Sequence, residues 1–356
     1  MKKKKKVTIN DIAEYAGVSK ATVSFAFNMP WKITPETKDR VMKAAEKLGY
    51  APDPVARTLA TKRVGAIGLL LPDPIQEAFK NPYMFEVLQG VGKVCNDEDL
   101  VLTILPPVKG LLTHTINTAV VDGFITIGIS PGPEILSIID KRHIPFVTID
   151  GAGLDSSVNI GIDDTNAAYE LLRFVLEKGH RTIAVISLKN SMDQEDTQEV
   201  FRSRIVPNRL AGIERALLDF VKQTGAHITI SIYYADASFE SAQSALLRMF
   251  NDGFVPDAIV CLSDIAAITA YEVCHHLGYP VPDAISIAGF DGIALGNIIK
   301  PKLTTIVQSG YEKGTKAARA IVAMMKNEPC ESVVVDYKLC QGDSVKTKTG
   351  NTLKLF

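Results

Sequence analysis

From Val64 onward the sequence alternates two patterns, and that alternation limits the possible folds more than any other feature. Short apolar runs rich in β-branched residues read as strands: VGAIGLLLPD, LVLTILPPV, DGFITIGIS, IPFVTID, RTIAVISL, HITISIYYA, DAIVCLSD and AISIAGFDG. Amphipathic stretches at about 82–97, 132–142, 164–178, 208–224, 237–252 and 264–278 read as helices between them. Repeated βα alternation gives parallel sheets covered by helices on both faces. It fills about 280 residues, which suggests two doubly wound subdomains, the second restarting near Asp163-Asp164. Ligands of open sheets bind beyond the carboxyl ends of the strands. Here those ends carry Asp73, Asp150, Ser263-Asp264 and Asp291. A second reading stands beside the first, because an Asp in that place also caps the next helix.

The first fifty residues are all-α. Thr8 and Asp11 have the spacing of a capping box, Ile12, Ala13 and Ala16 give a small apolar face, and Gly17 ends the helix. Ser19 caps a second helix from about Lys20 to Phe27. Two helices about a short turn containing Gly form a helix-turn-helix, whose second helix enters the DNA major groove. A helical hairpin that only packs has the same pattern. A third helix follows, with Thr34 as cap, Pro35 in the first position and Gly49 as stop. Its apolar face is Val41, Ala44, Ala45 and Leu48. Three such helices share a core if Ile12, Val18, Val23, Val41 and Leu48 meet.

The stretch Tyr50–Ala60 reads as a linker, with Asp53-Pro54 able to start one more short helix carrying Val55 and Leu59 on one side. So short a helix needs a surface to pack on, either a twin from a second chain or DNA. Charge divides in the same place. Residues 1–62 hold 13 Lys and Arg against 6 Asp and Glu, a net +7, and the rest of the chain is −8. A basic head on an acidic body points to a polyanionic partner for the head. Lys2–Lys6 fits a phosphate-binding arm or a solubilising tail equally well.

Composition excludes several classes. At 46% hydrophobic and 22% charged the chain is an ordinary globular protein. No apolar run is long enough to span a membrane, and the basic start MKKKKKVTIN has no apolar stretch behind it, so a cytoplasmic protein is expected. Five widely spaced cysteines without a CxxC pair argue against a disulfide framework or a zinc site. No GxSxG, P-loop or HExxH motif is present, the six histidines lack ligand spacing, and His180 in KGHR fits a capping role. Neither an enzyme nor a bound metal or cofactor is expected.

With these segments in this order, the chain resembles the lactose-repressor (LacI/GalR) family of bacterial transcription regulators. TINDIAEYAGVSKATVS is similar to that family's helix-turn-helix, and ITPETKDRVMKAAEKLGYAPDPVARTLAT to its third helix and hinge. NPYMFEVLQGV, EKGHRTIAVIS, RLAGIERAL, PDAISIAGFDG and PKLTTIVQ are similar to its body, so the resemblance runs from Val7 to about Val345. It implies a head at 1–51, a hinge at 52–63 and an effector-binding and dimerisation body at 64–345 of the periplasmic-binding-protein type. The body's N-subdomain would be about 64–163 and 293–325, its C-subdomain about 164–292 and 326–345, with a tail at 346–356.

The resemblance also assigns residues. Thr8, Lys20, Ala21, Thr22, Ser24, Phe25, Asn28, Ala56 and Leu59 fall at DNA-binding positions. Lys20 could donate to guanine and Ala21 touch a thymine methyl, while Thr22 and Ser24 suit phosphates. Phe25 departs from the Arg often found there, and either covers a thymine methyl or packs inward. Leu59 matches a wedge that kinks the duplex, or it packs on its twin. Arg209, Asp264 and Asp291 match the effector pocket, Tyr83 an aromatic that lies on the ligand, and Asp73, Asp150 and Gln308 further contacts. Carboxylates and guanidinium groups suit vicinal hydroxyls. Many members place an aromatic where this chain has Ala237, with Phe239 two residues on.

The expected function is therefore a DNA-binding regulator, a repressor by family default. A sugar or sugar phosphate between the subdomains would control it. A phosphorylated or carboxylated ligand would explain Arg202 and Arg204 in the acidic segment 190–207. The expected partners are operator DNA, the effector and a second copy in a homodimer, since the tail QGDSVKTKTGNTLKLF has no heptads for a larger bundle. The alternative is a solute-binding protein without a regulatory role.

Overall fold

The computed structural model describes residues 7–71, 73–107, 112–129, 132–151, 157–189 and 204–348. Lys2–Lys6, Arg202 and the tail beyond 348 lie outside the described residues. The chain divides into two compact units, Met1–Gly65 and Ala66–Phe356.

In the first unit α1 (Ile9–Ala16), α2 (Lys20–Asn28) and α3 (Pro35–Leu48) surround one small core. The expected caps set their ends. The Asp11 carboxylate accepts both the backbone N–H and the hydroxyl of Thr8 at 2.7 Å. Gly17 and Gly49 stop α1 and α3 at φ 62° and 67°, a left-handed conformation open to glycine. Ser19 Oγ accepts the Thr22 N–H at 3.0 Å. Ile12, Val23 and Val41 are fully buried together, and Val18 and Leu48 pack at the core's edge. A 3-10 turn, Pro30–Lys32, follows α2. The hinge forms α4 (Pro54–Thr61), started by Asp53 Oδ1 accepting the Val55 N–H at 3.0 Å. Its apolar side chains Val55 and Leu59 remain 68% and 78% exposed, as a short helix awaiting a partner surface would leave them.

The second unit holds two six-stranded sheets. The first contains β1 (Ala66–Leu70), β2 (Val101–Leu105), β3 (Gly123–Ile127), β4 (Phe146–Ile149) and β5 (Val158–Gly161), all parallel. Helices α5 (Ile75–Ala78), α6 (Tyr83–Asp97), α7 (Leu112–Thr118) and α8 (Pro133–Arg142) connect them. The chain then crosses through α9 (Asp164–Glu177) to the second sheet. This sheet is built from β6 (Thr182–Leu188), α10 (Ile205–Thr224), β7 (Thr229–Ala235), α11 (Phe239–Asn251), β8 (Ala258–Cys261), α12 (Asp264–His276), β9 (Ser286–Asp291) and β10 (Thr304–Gln308). His180, between α9 and β6, is buried with its Nε2 2.9 Å from the Lys346 carbonyl.

The end of the chain corrects the expected subdomain limits. β10 pairs in parallel with β9, so 304–308 belongs to the second sheet. α13 (Gly310–Met325) returns to the first half, where Ala317, Ala318 and Ile321 join its core. β11 (Val333–Val334) adds to β5 of the first sheet, and β12 (Tyr337–Cys340) closes the second, antiparallel to β10. The chain therefore crosses three times. A strand's hydrophobic pattern does not say which sheet edge it joins. α6 and α13 meet backbone to backbone: a Cβ on Gly90 would collide with the Tyr311 carbonyl, and one on Gly314 with the Val87 carbonyl.

Candidate DNA-reading helix and ligand cleft

In the first unit the α2 residues that the sequence singles out fall into two groups. Lys20 and Ala21 are exposed, and nothing in the core claims them. Thr22 shares a hydrogen bond with the Ser19 hydroxyl at 2.9 Å, and Asn28 Nδ2 donates to Ser24 Oγ at 3.3 Å. These short polar side chains are held in place with lone pairs or protons to spare. Phe25 does not join the core: it is half-buried, with the Lys32 ammonium 5.3 Å from its ring centroid. Ala56 and Leu59 are exposed on α4.

In the second unit a chain of buried ions and amides joins the carboxyl ends of β4, β9 and β10. The Lys313 ammonium, on the first turn of α13 and fully buried, donates to Asp150 Oδ1 at 2.6 Å and to Gln308 Oε1 at 2.5 Å. Gln308 Nε2 donates to Asp291 Oδ1 at 2.7 Å. Arg209 of α10 donates through Nε to Asp164 Oδ1 at 2.8 Å and through Nη1 to the Leu262 carbonyl at 2.7 Å, with Asp291 Oδ1 3.8 Å away. Its guanidinium lies 3.7 Å from the centroid of the Phe290 ring. The path Asp150–Lys313–Gln308–Asp291–Arg209–Asp164 thus crosses from the first half of the body to the second.

Burial dominates the electrostatics. It pushes the Asp291 carboxyl up to about 6, against the pull of Arg209, and it raises Asp164 against the same arginine. Burial opposes the Arg209 charge, but Asp164 and Asp291 outweigh it and raise that group. The Tyr83 hydroxyl is raised well above its ordinary value, first by burial and then by Asp150. That hydroxyl is buried with no hydrogen-bond partner among the described residues, and Lys313 lies 5.7 Å from the centre of its ring. A buried hydroxyl left unpaired carries a desolvation cost that a ligand oxygen would relieve.

The residues named from the sequence therefore separate. Tyr83, Asp150, Arg209, Asp291 and Gln308 converge. Asp264 lies behind them with an internal job: fully buried, it accepts the N–H groups of Gly292 at 2.7 Å and Ile293 at 2.9 Å and the Thr305 hydroxyl at 2.6 Å. These bonds make Asp264 a brace for the turn after β9. Burial and then Asp291 raise its carboxyl to about 7. Asp73 is exposed and stands apart; partial desolvation, then Asp236 and Glu77, raise its carboxyl. Arg204 is exposed. Two members of the network were missed in the sequence, Asp164 and Lys313. The second left a signal: Lys313, Ala317 and Ile321 share one apolar stripe at helical spacing, where a lysine is out of place.

The comparisons agree with this architecture. The model for bacterial regulatory proteins of the lacI family matches residues 8–53, and that for a periplasmic binding protein-like domain matches residues 172–345. The chain is 29% identical over 352 residues to the HTH-type transcriptional regulator Rv3575c of Mycobacterium tuberculosis, covering 95% of this chain and 97% of the relative. Its fold is similar to that of the lac repressor dimer bound to operator and the anti-inducer ONPF, with a TM-score of 0.76 at 21% identity, covering 96% of this chain and 100% of that one. It is also similar to a transcriptional regulator CelR–cellobiose complex, with a TM-score of 0.66 at 22% identity over 95% and 100% of the two chains. With the helix-turn-helix and the ligand-domain fold following one another as in these regulators, the chain belongs to the lacI family of DNA-binding bacterial regulatory proteins.

Proposed function

We propose that this protein is a cytoplasmic transcriptional repressor that acts as a homodimer and is controlled by an uncharged, hydroxyl-rich effector of the sugar class. The observation that carries the effector reading is the buried Tyr83 hydroxyl, without a hydrogen-bond partner among the described residues and set among Asp150, Arg209 and Asp291. Charge selects the ligand class. Among the described residues Asp150, Asp164 and Asp291 are set against two cations, Arg209 and Lys313, and both cations already hold carboxylates. A phosphate brought there would meet a surplus of acid, so a neutral ring fits better than a sugar phosphate. One of the similar structures is a CelR–cellobiose complex, which suits that class.

At the other end, the head at 1–51 would read DNA through Lys20 and Ala21, with Thr8, Thr22, Ser24 and Asn28 setting its register on phosphates. The hinge at 52–63 would place Ala56 and Leu59 in the minor groove. Two measurements on the full chain test the proposal. Thermal shift should rise with a neutral mono- or disaccharide and not with its phosphate, because a ligand that binds only the folded state stabilises it. The same sugar should change affinity for a palindromic duplex in an anisotropy titration. A protein stabilised only by phosphorylated sugars would overturn the ligand class, and one that binds no duplex would overturn the regulator.

A further inference from the structure

The turn that follows α2 carries a side chain that the fold of the head does not use. Trp31 is 75% exposed and takes no part in the core of the first unit. Pro30 begins the 3-10 turn that presents it, directly beyond the C-terminus of α2. Beside it the Lys32 ammonium lies 5.3 Å from the centroid of the half-buried Phe25 ring, a cation–π contact that restrains a long side chain. From Ser19 to Pro35 the only charged residues are Lys20 and Lys32, so two cations bracket α2 with no carboxylate between them.

We propose that Trp31, Lys32 and Phe25 form a second DNA contact, which grips the sugar-phosphate strand at the edge of the groove that α2 enters. This rests on the reading of α2 as the DNA-reading helix. The flat indole packs against deoxyribose and its N–H donates to a phosphate oxygen. Phe25 serves as the platform that holds the Lys32 ammonium outward toward a neighbouring phosphate. Phe25 thus acts on DNA through Lys32, and the patch adds affinity without reading bases. Charge favours this occupant: Lys20 and Lys32 are the only charges between Ser19 and Pro35, and cations beside aromatic faces complement a polyanion.

Trp31 is the chain's single tryptophan, so the intrinsic indole emission of the full-length protein reports this site alone. The probe is a labelled random-sequence duplex at low salt. At saturating duplex, acrylamide quenching of Trp31 should fall. Trp31→Ala should weaken duplex binding about five- to tenfold, on the scale of an aromatic contact to nucleic acid. Lys32→Ala should reduce the slope of log affinity against log salt by about 1. Unchanged quenching, together with wild-type affinity in Trp31→Ala, would overturn the contact while the duplex still binds and the regulator stands. Shielding of Trp31 by rising protein concentration without DNA would overturn it too, since a second copy would then cover the patch. A wild-type protein that binds no duplex removes both proposals at once.

Discussion

Lys313 shows what a single buried charge demands. Its ammonium has no solvent, so Asp150 and Gln308 supply its hydrogen-bond acceptors. Removing one partner of a buried ion pair leaves the other uncompensated, a cost of about 3–5 kcal/mol, whereas removing both costs far less. Lys313→Met should therefore lower stability toward urea by that order, and the double variant Lys313→Met/Asp150→Asn should recover part of the loss. A double variant no more stable than the single one would contradict the pairing. Asp264 and Asp291 argue the opposite sign with pH. Their folded values, about 7 and about 6, lie above the ordinary carboxyl value of 3.8, so the folded state holds protons the unfolded state releases. Their contribution to stability is full below about 4 and is lost as pH rises through 6 to 7. Melting of the body should thus lose stability between about pH 4 and 7, and Asp264→Asn should flatten that decline.

Single elements decide where these residues stand. α13 brings Lys313 to β4 because Gly314 and Gly90 let α13 and α6 touch through their backbones. Gly314→Ala should push the helices apart and destabilise by about 1–3 kcal/mol, as overpacking of a core does, read from the urea midpoint at constant slope. The hinge helix α4 obeys a different logic, since its apolar side finds no cover in the described chain. Leu59→Ala should leave the body's melting unchanged but weaken operator binding and reduce DNA bending in a phasing assay. Equal bending by the variant would exclude the wedge. Helix ends were legible in the sequence because Thr8, Ser19, Thr34 and the glycines act on their own neighbours. The reach of α13 was not, because it depends on a second helix more than two hundred residues away.

At the scale of the molecule, regulation requires that the cleft and the head share one equilibrium. The ionic path runs through both halves of the body, with Asp150 after β4 in one and Asp291 and Arg209 in the other, so a ligand proposed to sit there would act on the relation between halves. Coupling between effector and operator is expected at about 1–3 kcal/mol, a 5- to 150-fold change in affinity, and it must be reciprocal. Effector binding measured with and without operator should therefore shift by the same factor as operator binding with and without effector. The sequence alone determined the βα alternation, the three capped helices of the head, the division of charge and the acids at the strand ends, because each is written in neighbouring residues or in a local period. Only the tertiary structure decided that β10 and β11 exchange sheets, that Asp264 braces the turn after β9, and that Lys313 joins Asp150 to Gln308. Those outcomes turn on which distant groups are buried together, and burial next to a partner is a property of the folded chain and not of any stretch of it.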